Sequence, residues 1–179
     1  MAGRRVALLR GINVGRAKRV AMADLRALVE ELGYRDVRTL LNSGNIVFTV
    51  PATRRADPAG LIEKALADRA GVSSRVTVLT AAELGAVVRD NPLGVWADNP
   101  SRFFVAFLRR PADRSRLTPL LDGDWGAERL AVGTRVAYVW CPDGILESAL
   151  FEAVGRALGD GVTTRNWATV TKLEKLAQS

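Results

Sequence analysis

The sequence predicts an α+β protein built from two halves, each running β-α-β-β-α. Three observations carry this. Short apolar runs alternate with segments whose apolar residues recur at helical spacing. The alternation begins again after residues 91–100, which hold two prolines, a glycine and a tryptophan. The chain has 179 residues, 48% hydrophobic and 25% charged, enough to bury a core without staples.

Val6–Arg10 reads as a buried strand that ends in Arg10-Gly11. Gly11–Val20 is a polar loop whose glycines permit conformations other residues resist. Met22, Leu25, Leu28, Val29 and Leu32 share a helical face, so residues 22–32 form a helix, with Gly33 as its C-cap. Val37–Leu41 and Ile46–Val50 are strands around the turn Asn42-Ser-Gly-Asn45. Pro51–Ala56 is a loop. Asp57-Pro58 starts a second helix as N-cap and first helical residue, and Gly71 ends it. Val76, Val78 and Thr80 mark a fourth strand. This is the ferredoxin-like order.

Ala81–Arg89 is a short helix. Arg102–Arg109 begins the second half as a strand rich in aromatics, and apolar neighbours favour its burial on both faces. Ala112–Leu121 is helical, with Pro119 stopping or bending it. Glu128–Val132 and Arg135–Cys141 form a hairpin around Gly133-Thr134. Glu147–Leu158 is a helix. The first half closes with a strand and the second with a helix over residues 164–177. The fold class is therefore α+β, two ferredoxin-like halves with a C-terminal helix packed between or against them. The boundaries are residues 1–82, a helix and connection at 83–100, and residues 101–179.

Composition excludes several chemistries. There is no histidine, which removes histidine-based triads, metal sites and pH switches. The single cysteine, Cys141, forbids an internal disulfide and reads as a small buried apolar residue. Neither GxGxxG nor GxxxxGK[ST] occurs. No apolar run approaches the ~20 residues of a membrane span, and Arg10 cuts the first one too short for a signal peptide. A cytoplasmic protein without a membrane role is expected. No metal site is expected, and the sequence leaves cofactors and catalytic residues open.

The net charge is +7. Residues 1–90 carry 15 Lys/Arg against 9 Asp/Glu, a net of +6; residues 91–179 carry 11 against 10, a net of +1. Arg4, Arg5, Arg10, Arg16, Lys18 and Arg19 all precede the first acid, Asp24. Such asymmetry favours an anionic partner near the N-terminal loop, with plain solubility of an arginine- and alanine-rich chain as the alternative reading.

Two polar groups are candidate ligand-binding residues. Arg10 and Asn13 follow the first strand, and Ser43 and Asn45 precede the third. Antiparallel neighbours bring these ends to one sheet edge, although Ser, Gly and Asn are also turn residues in their own right. Arg165, Thr169 and Lys172 stand at i, i+4 and i+7, one face of the expected last helix, beside Asn166; Thr163 or Thr164 would cap it. Guanidinium, hydroxyl and ammonium groups together suit a phosphate or carboxylate. A solvated helix face is the plainer alternative.

Leu9-Arg-Gly-Ile-Asn-Val-Gly15, Met22-Ala-Asp-Leu25 with Leu28 and Gly33, Ser43-Gly-Asn45 and Thr164-Arg-Asn-Trp-Ala-Thr-Val-Thr-Lys-Leu173 resemble the bacterial family called domain of unknown function 1697. The resemblance implies a duplicated α+β fold and no established activity. It singles out Arg10, Asn13, Ser43, Asn45, Arg165, Asn166, Trp167, Thr169 and Lys172. Arg16-Ala-Lys-Arg19 replaces the family's Gly-Lys-Asn-Lys and keeps the loop basic.

Three functions fit. The first is binding of a phosphorylated or other anionic ligand, a nucleotide or a nucleic acid, through the basic polar cluster. The second is an enzyme on a small anionic substrate, with Lys172 as the proton-transfer group. The third is a structural protein whose polar motifs lock the fold.

Overall fold

In the computed structural model, residues 3–54 and 57–179 are described. The strands and helices are β1 (Gly3–Leu9), α1 (Met22–Glu31), β2 (Arg35–Leu40), β3 (Asn45–Val50), α2 (Pro58–Ala70), β4 (Val76–Thr80), α3 (Ala81–Arg89), β5 (Phe103–Leu108), α4 (Thr118–Leu121), β6 (Arg129–Val132), β7 (Val136–Trp140), α5 (Ala149–Leu158), β8 (Val162–Asn166) and α6 (Trp167–Gln178). The expected loop at 51–56 is seen as far as Arg54, and Arg55 and Ala56 lie outside the described residues.

Two four-stranded antiparallel sheets form, in the orders β2-β3-β1-β4 and β6-β7-β5-β8. These are two ferredoxin-like halves of identical topology. The chain divides into two compact units. One takes in the chain up to Gly85 together with Leu173–Ser179; the other is Ala86–Lys172. The chain passes from one to the other inside α3 and returns inside α6.

In the first unit, Ala7, Leu9, Ile46 and Phe48 of the sheet pack with Leu25 and Val29 of α1 and Ile62 and Leu66 of α2. Asp57 caps α2, accepting from the N–H groups of Ala59 (3.0 Å) and Gly60 (3.1 Å). Gly71 ends it at φ +62°. In the second unit, Ala106, Leu108, Ala137 and Val139 pack with Leu150, Val154 and Leu158 of α5. Phe103, Val105 and Phe107 are fully buried too, so β5 is covered on both faces, as its aromatic run predicts.

Three expectations are corrected. The last helix does not begin at residue 164. Val162–Asn166 is a strand paired antiparallel with β5, Phe104 opposite Asn166 and Leu108 opposite Val162. The β-branched residues Val162, Thr163 and Thr164 suit a strand, and the pairing supplies β5 with its second neighbour. The helical stretch at 112–121 is broken: Pro111–Leu117 is 3-10 and α4 is a single turn. Pro119 stands at the start of that turn, where its missing N–H costs nothing. Helix α5 begins at Ala149, two residues late, because Ser148 caps it by accepting from the N–H of Phe151 at 2.9 Å.

With β8 in place, the halves match in detail. Val6-Ala-Leu-Leu-Arg10 of β1 aligns with Val105-Ala-Phe-Leu-Arg109 of β5. The N–H of Leu9 donates to the Gly44 carbonyl (2.9 Å) and that of Leu108 to the Arg135 carbonyl (2.8 Å). The N–H groups of Arg10 and Arg109 donate to the carbonyls of Arg75 and Gly161, both at 2.9 Å. Thr80 Oγ1 accepts from the N–H of Glu83, and Asn166 Oδ1 from that of Thr169, both at 2.9 Å. Each half is therefore βαββαβ followed by a capped helix.

Gly44 is the tightest point of the first sheet edge. Its φ is +82°, and a Cβ there would meet Leu9 Cβ at 2.7 Å and Ile12 Cδ1 at 2.8 Å. Gly44→Ala is expected to lower the free energy of unfolding by about 2–4 kcal/mol, since strain and overpacking add. Urea denaturation measures it; an unchanged midpoint would refute the assignment.

Candidate functional site

Strand β1 delivers Arg10 to the surface, and the loop from Gly11 to Val20 comes next. The loop is held open in an unusual conformation: Gly11, Asn13, Gly15 and Lys18 have φ of 66°, 54°, 62° and 51°. Asn13 fixes it. Its Nδ2 donates to the carbonyls of Val20 and Asn42, both at 2.8 Å, and its Oδ1 accepts from the N–H of Val20 at 2.8 Å. Its own N–H donates to the Lys18 carbonyl at 3.0 Å. One side chain thus closes the loop and ties it to the β2–β3 turn. Asn is among the residues that tolerate a left-handed backbone most readily.

Asn45 plays the same part in the turn. It is fully buried, and Nδ2 donates to the Leu40 carbonyl and to Ser43 Oγ, both at 2.9 Å. Ser74 Oγ donates to the Arg10 carbonyl at 2.9 Å. The predicted convergence of the β1 and β3 ends is real, with Leu8 opposite Asn45. Its asparagines are occupied in building the edge. The side chains that the edge presents outward are Arg10, Ser43, Arg16, Lys18 and Arg19, all exposed. Arg16, Lys18 and Arg19 make no ion pair among the described residues. Cations elsewhere do: Arg26 with Glu30, Lys64 with Asp68, Arg89 with Asp90, Arg156 with Glu152. A cleft of about 410 Å³ adjoins the loop, lined by Arg19, Ala21, Asp24, Glu31 and Arg69 among others. Arg69 pairs with Glu31 there, so the cleft has mixed charge while the loop is purely basic.

The second group lies in the second unit, and the structure does not line it up as one helical face. Arg165 is on strand β8, opposite Val105. It is buried, with Nη1 donating to Thr163 Oγ1 (3.0 Å) and to the Thr164 carbonyl (2.9 Å). Burial pulls its pKa down to about 10. Asn166, not Thr163 or Thr164, caps α6. Thr169 is buried, and Lys172 is exposed. In the register of the first half, the position of Arg165 is held by Leu79 opposite Val6. The fold itself therefore does not require a charge there.

Sequence reasoning singled out Asn13 and Asn45 but not Asn42 and Ser74, whose contacts are long-range. It noted Arg16, Lys18 and Arg19 as charge without naming them as site residues. Cys141 is fully buried, and burial pushes its thiol up to about 11, against a weaker lowering by its bond to Ser148 Oγ at 3.4 Å. Burial likewise raises Tyr138, whose hydroxyl donates to the Val87 carbonyl at 2.8 Å, to about 12.

The two sheets define a duplicated ferredoxin-like α+β protein, and the loop after β1 is basic. The chain belongs to the protein family of unknown function DUF1697, whose profile matches residues 2–138. The solved structure of conserved bacterial protein SP0830 from Streptococcus pneumoniae is similar over 99% of both chains, with a TM-score of 0.77 at 22% identity, a likeness of fold. The crystal structure of protein BT0572 from Bacteroides thetaiotaomicron aligns over 96% of this chain and 97% of its own, at 11% identity, with a TM-score of 0.23, too unlike to bear on the fold. No curated protein matches the chain. No helix among the described residues is long and apolar enough to cross a membrane.

The second unit yields two expected outcomes. Arg165→Ala is expected to cost about 2–4 kcal/mol, through lost packing and lost hydrogen bonds, and Arg165→Leu to recover at least half of it. Equal losses in urea melts would sink the register argument. Cys141 should resist alkylation in the native protein at pH 8 and react once unfolded. Folding holds the thiol protonated, so its contribution to stability is full below pH 9 and fades as pH rises toward about 11.

Proposed function

We propose that the protein binds a phosphorylated anionic ligand, a nucleotide or a nucleic acid, through the loop after β1. The observation that carries this is the charge of that loop. Arg16, Lys18 and Arg19 are exposed, have no ion pair among the described residues, and stand in a segment with no acid before Asp24. Arg10 and Ser43 lie at the same edge. The loop is also pre-formed: Asn13 and the left-handed residues hold it, so ligand binding would order little further backbone. Arginine forks and a lysine ammonium suit phosphate oxygens.

The structural reading applies to a different set of residues. Asn13, Asn45, Asn166 and Arg165 direct side-chain donors or acceptors to backbone and threonine groups of their own unit. Their loss would register first as instability. The exposed cations are where binding and stability separate.

The triple variant Arg16→Ala/Lys18→Ala/Arg19→Ala should melt close to wild type, because all three side chains are exposed. Its binding to labelled oligonucleotide or ATP at low salt should weaken at least tenfold. The slope of log affinity on log salt should fall by roughly 2–3 for a nucleic acid, close to one for each phosphate that is no longer neutralised. Wild-type protein that binds neither ligand at low salt would overturn the proposal.

A further inference from the structure

We infer that the second unit carries its own phosphate-contact segment, Arg109–Arg116, at the station the basic loop occupies in the first, and that the ligand is a nucleic-acid backbone rather than a single nucleotide. This rests on the anion-binding reading above and names its ligand class.

The equivalence comes from backbone bonding. Arg10 and Arg109 each leave the central strand of their sheet with the N–H tied to the segment before the fourth strand, at Arg75 and Gly161. After Arg10 comes the loop with Arg16, Lys18 and Arg19; after Arg109 come Arg110, Arg114 and Arg116. The two segments share neither sequence nor conformation. The first is an open loop pinned by Asn13, the second a 3-10 stretch. They share their place and their charge. Between Asp98 and Asp122 there are five arginines and one acid, Asp113, although the second half as a whole is nearly neutral.

Asp113 organises the segment. Its side chain is 10% exposed. Its two oxygens accept from Arg110 Nε at 3.2 Å and Nη2 at 3.1 Å, a fork-to-carboxylate pair. Arg116 Nε lies 3.6 Å away. The two arginine side chains are 68% and 52% exposed. One buried carboxylate thus orients two guanidinium groups and neutralises only one charge. Arg114 is exposed, and Arg135 Nη2 donates to the Arg109 carbonyl at 3.4 Å, adding a fifth cation at this end. Within the second unit alone, several cations along one short segment suit a ligand of repeated phosphates, whose affinity falls steeply with salt.

The test is a salt titration of labelled single-stranded and duplex oligonucleotides, with ATP in parallel. It compares wild type, the loop triple variant, Arg110→Ala/Arg114→Ala/Arg116→Ala, and Arg114→Glu. The last leaves the Asp113 pairs intact and guards against a variant that merely unfolds, which thermal melts report. Wild type should bind oligonucleotide far more tightly than ATP. The arginine triple variant should lower the salt slope by roughly 2–3, and Arg114→Glu by about 1 or more. If only the loop variant lowers the slope, the second station is refuted and the loop reading stands. If ATP binds as tightly as oligonucleotide, the ligand class is refuted. If the segment variants lower the slope and the loop variant does not, the loop reading falls while the station stands. Binding of neither ligand refutes both.

Discussion

The structure depends on two central strands that are buried on both faces. Val6–Leu9 of β1 and Val105–Leu108 of β5 are fully buried. A buried backbone must pair every N–H and carbonyl, because an orphan costs the full desolvation of the group. Each central strand therefore needs a neighbour on both sides along its length. For β1 these are β3 and β4; for β5 they are β7 and β8. Even the strand exits are tied, through Leu9 and Arg10 in one unit and Leu108 and Arg109 in the other. This requirement draws Val162–Asn166 into a strand and delays α6 to Trp167.

That constraint sorts the polar residues into two kinds. Where the chain leaves a sheet, turns must be closed by side chains, and Asn13, Asn45, Ser74 and Asn166 serve there. Their donors and acceptors meet backbone within their own unit. Arg165 belongs with them: it lies at a strand position that its counterpart Leu79 fills without a charge. The second kind is four exposed cations on the segments leaving β1 and β5: Arg16, Lys18, Arg19 and Arg114. They close no turn with their charged groups, so their chemistry is directed outward.

Much of the fold was legible because its signals are local. In the first half Asp57-Pro58 and Gly71 bracket α2 and Asn42–Asn45 marks the hairpin, while β1 and β2 begin three and two residues before their expected starts. The convergence of the β1 and β3 ends followed from antiparallel order. The second half was read less well where signals conflict. Thr163-Thr164 before an apolar helical pattern is a fair cap signal, yet Asn166 is the cap, because pairing with β5 outweighs local preference. Pro119 was recognised as a breaker, but the 3-10 stretch before it has no periodicity to announce it.

By itself the sequence determined the fold class, the absence of histidine chemistry, the uneven charge and the residues at strand exits. Each depends on composition or on patterns within one element. Tertiary structure decided that the duplication is complete, that Arg165 is a strand residue buried beside Thr163, and that Asn13 binds the Asn42 carbonyl. It also decided that Arg109 stands where Arg10 stands. These rest on contacts between residues far apart in the chain, and such contacts leave no local period in the sequence.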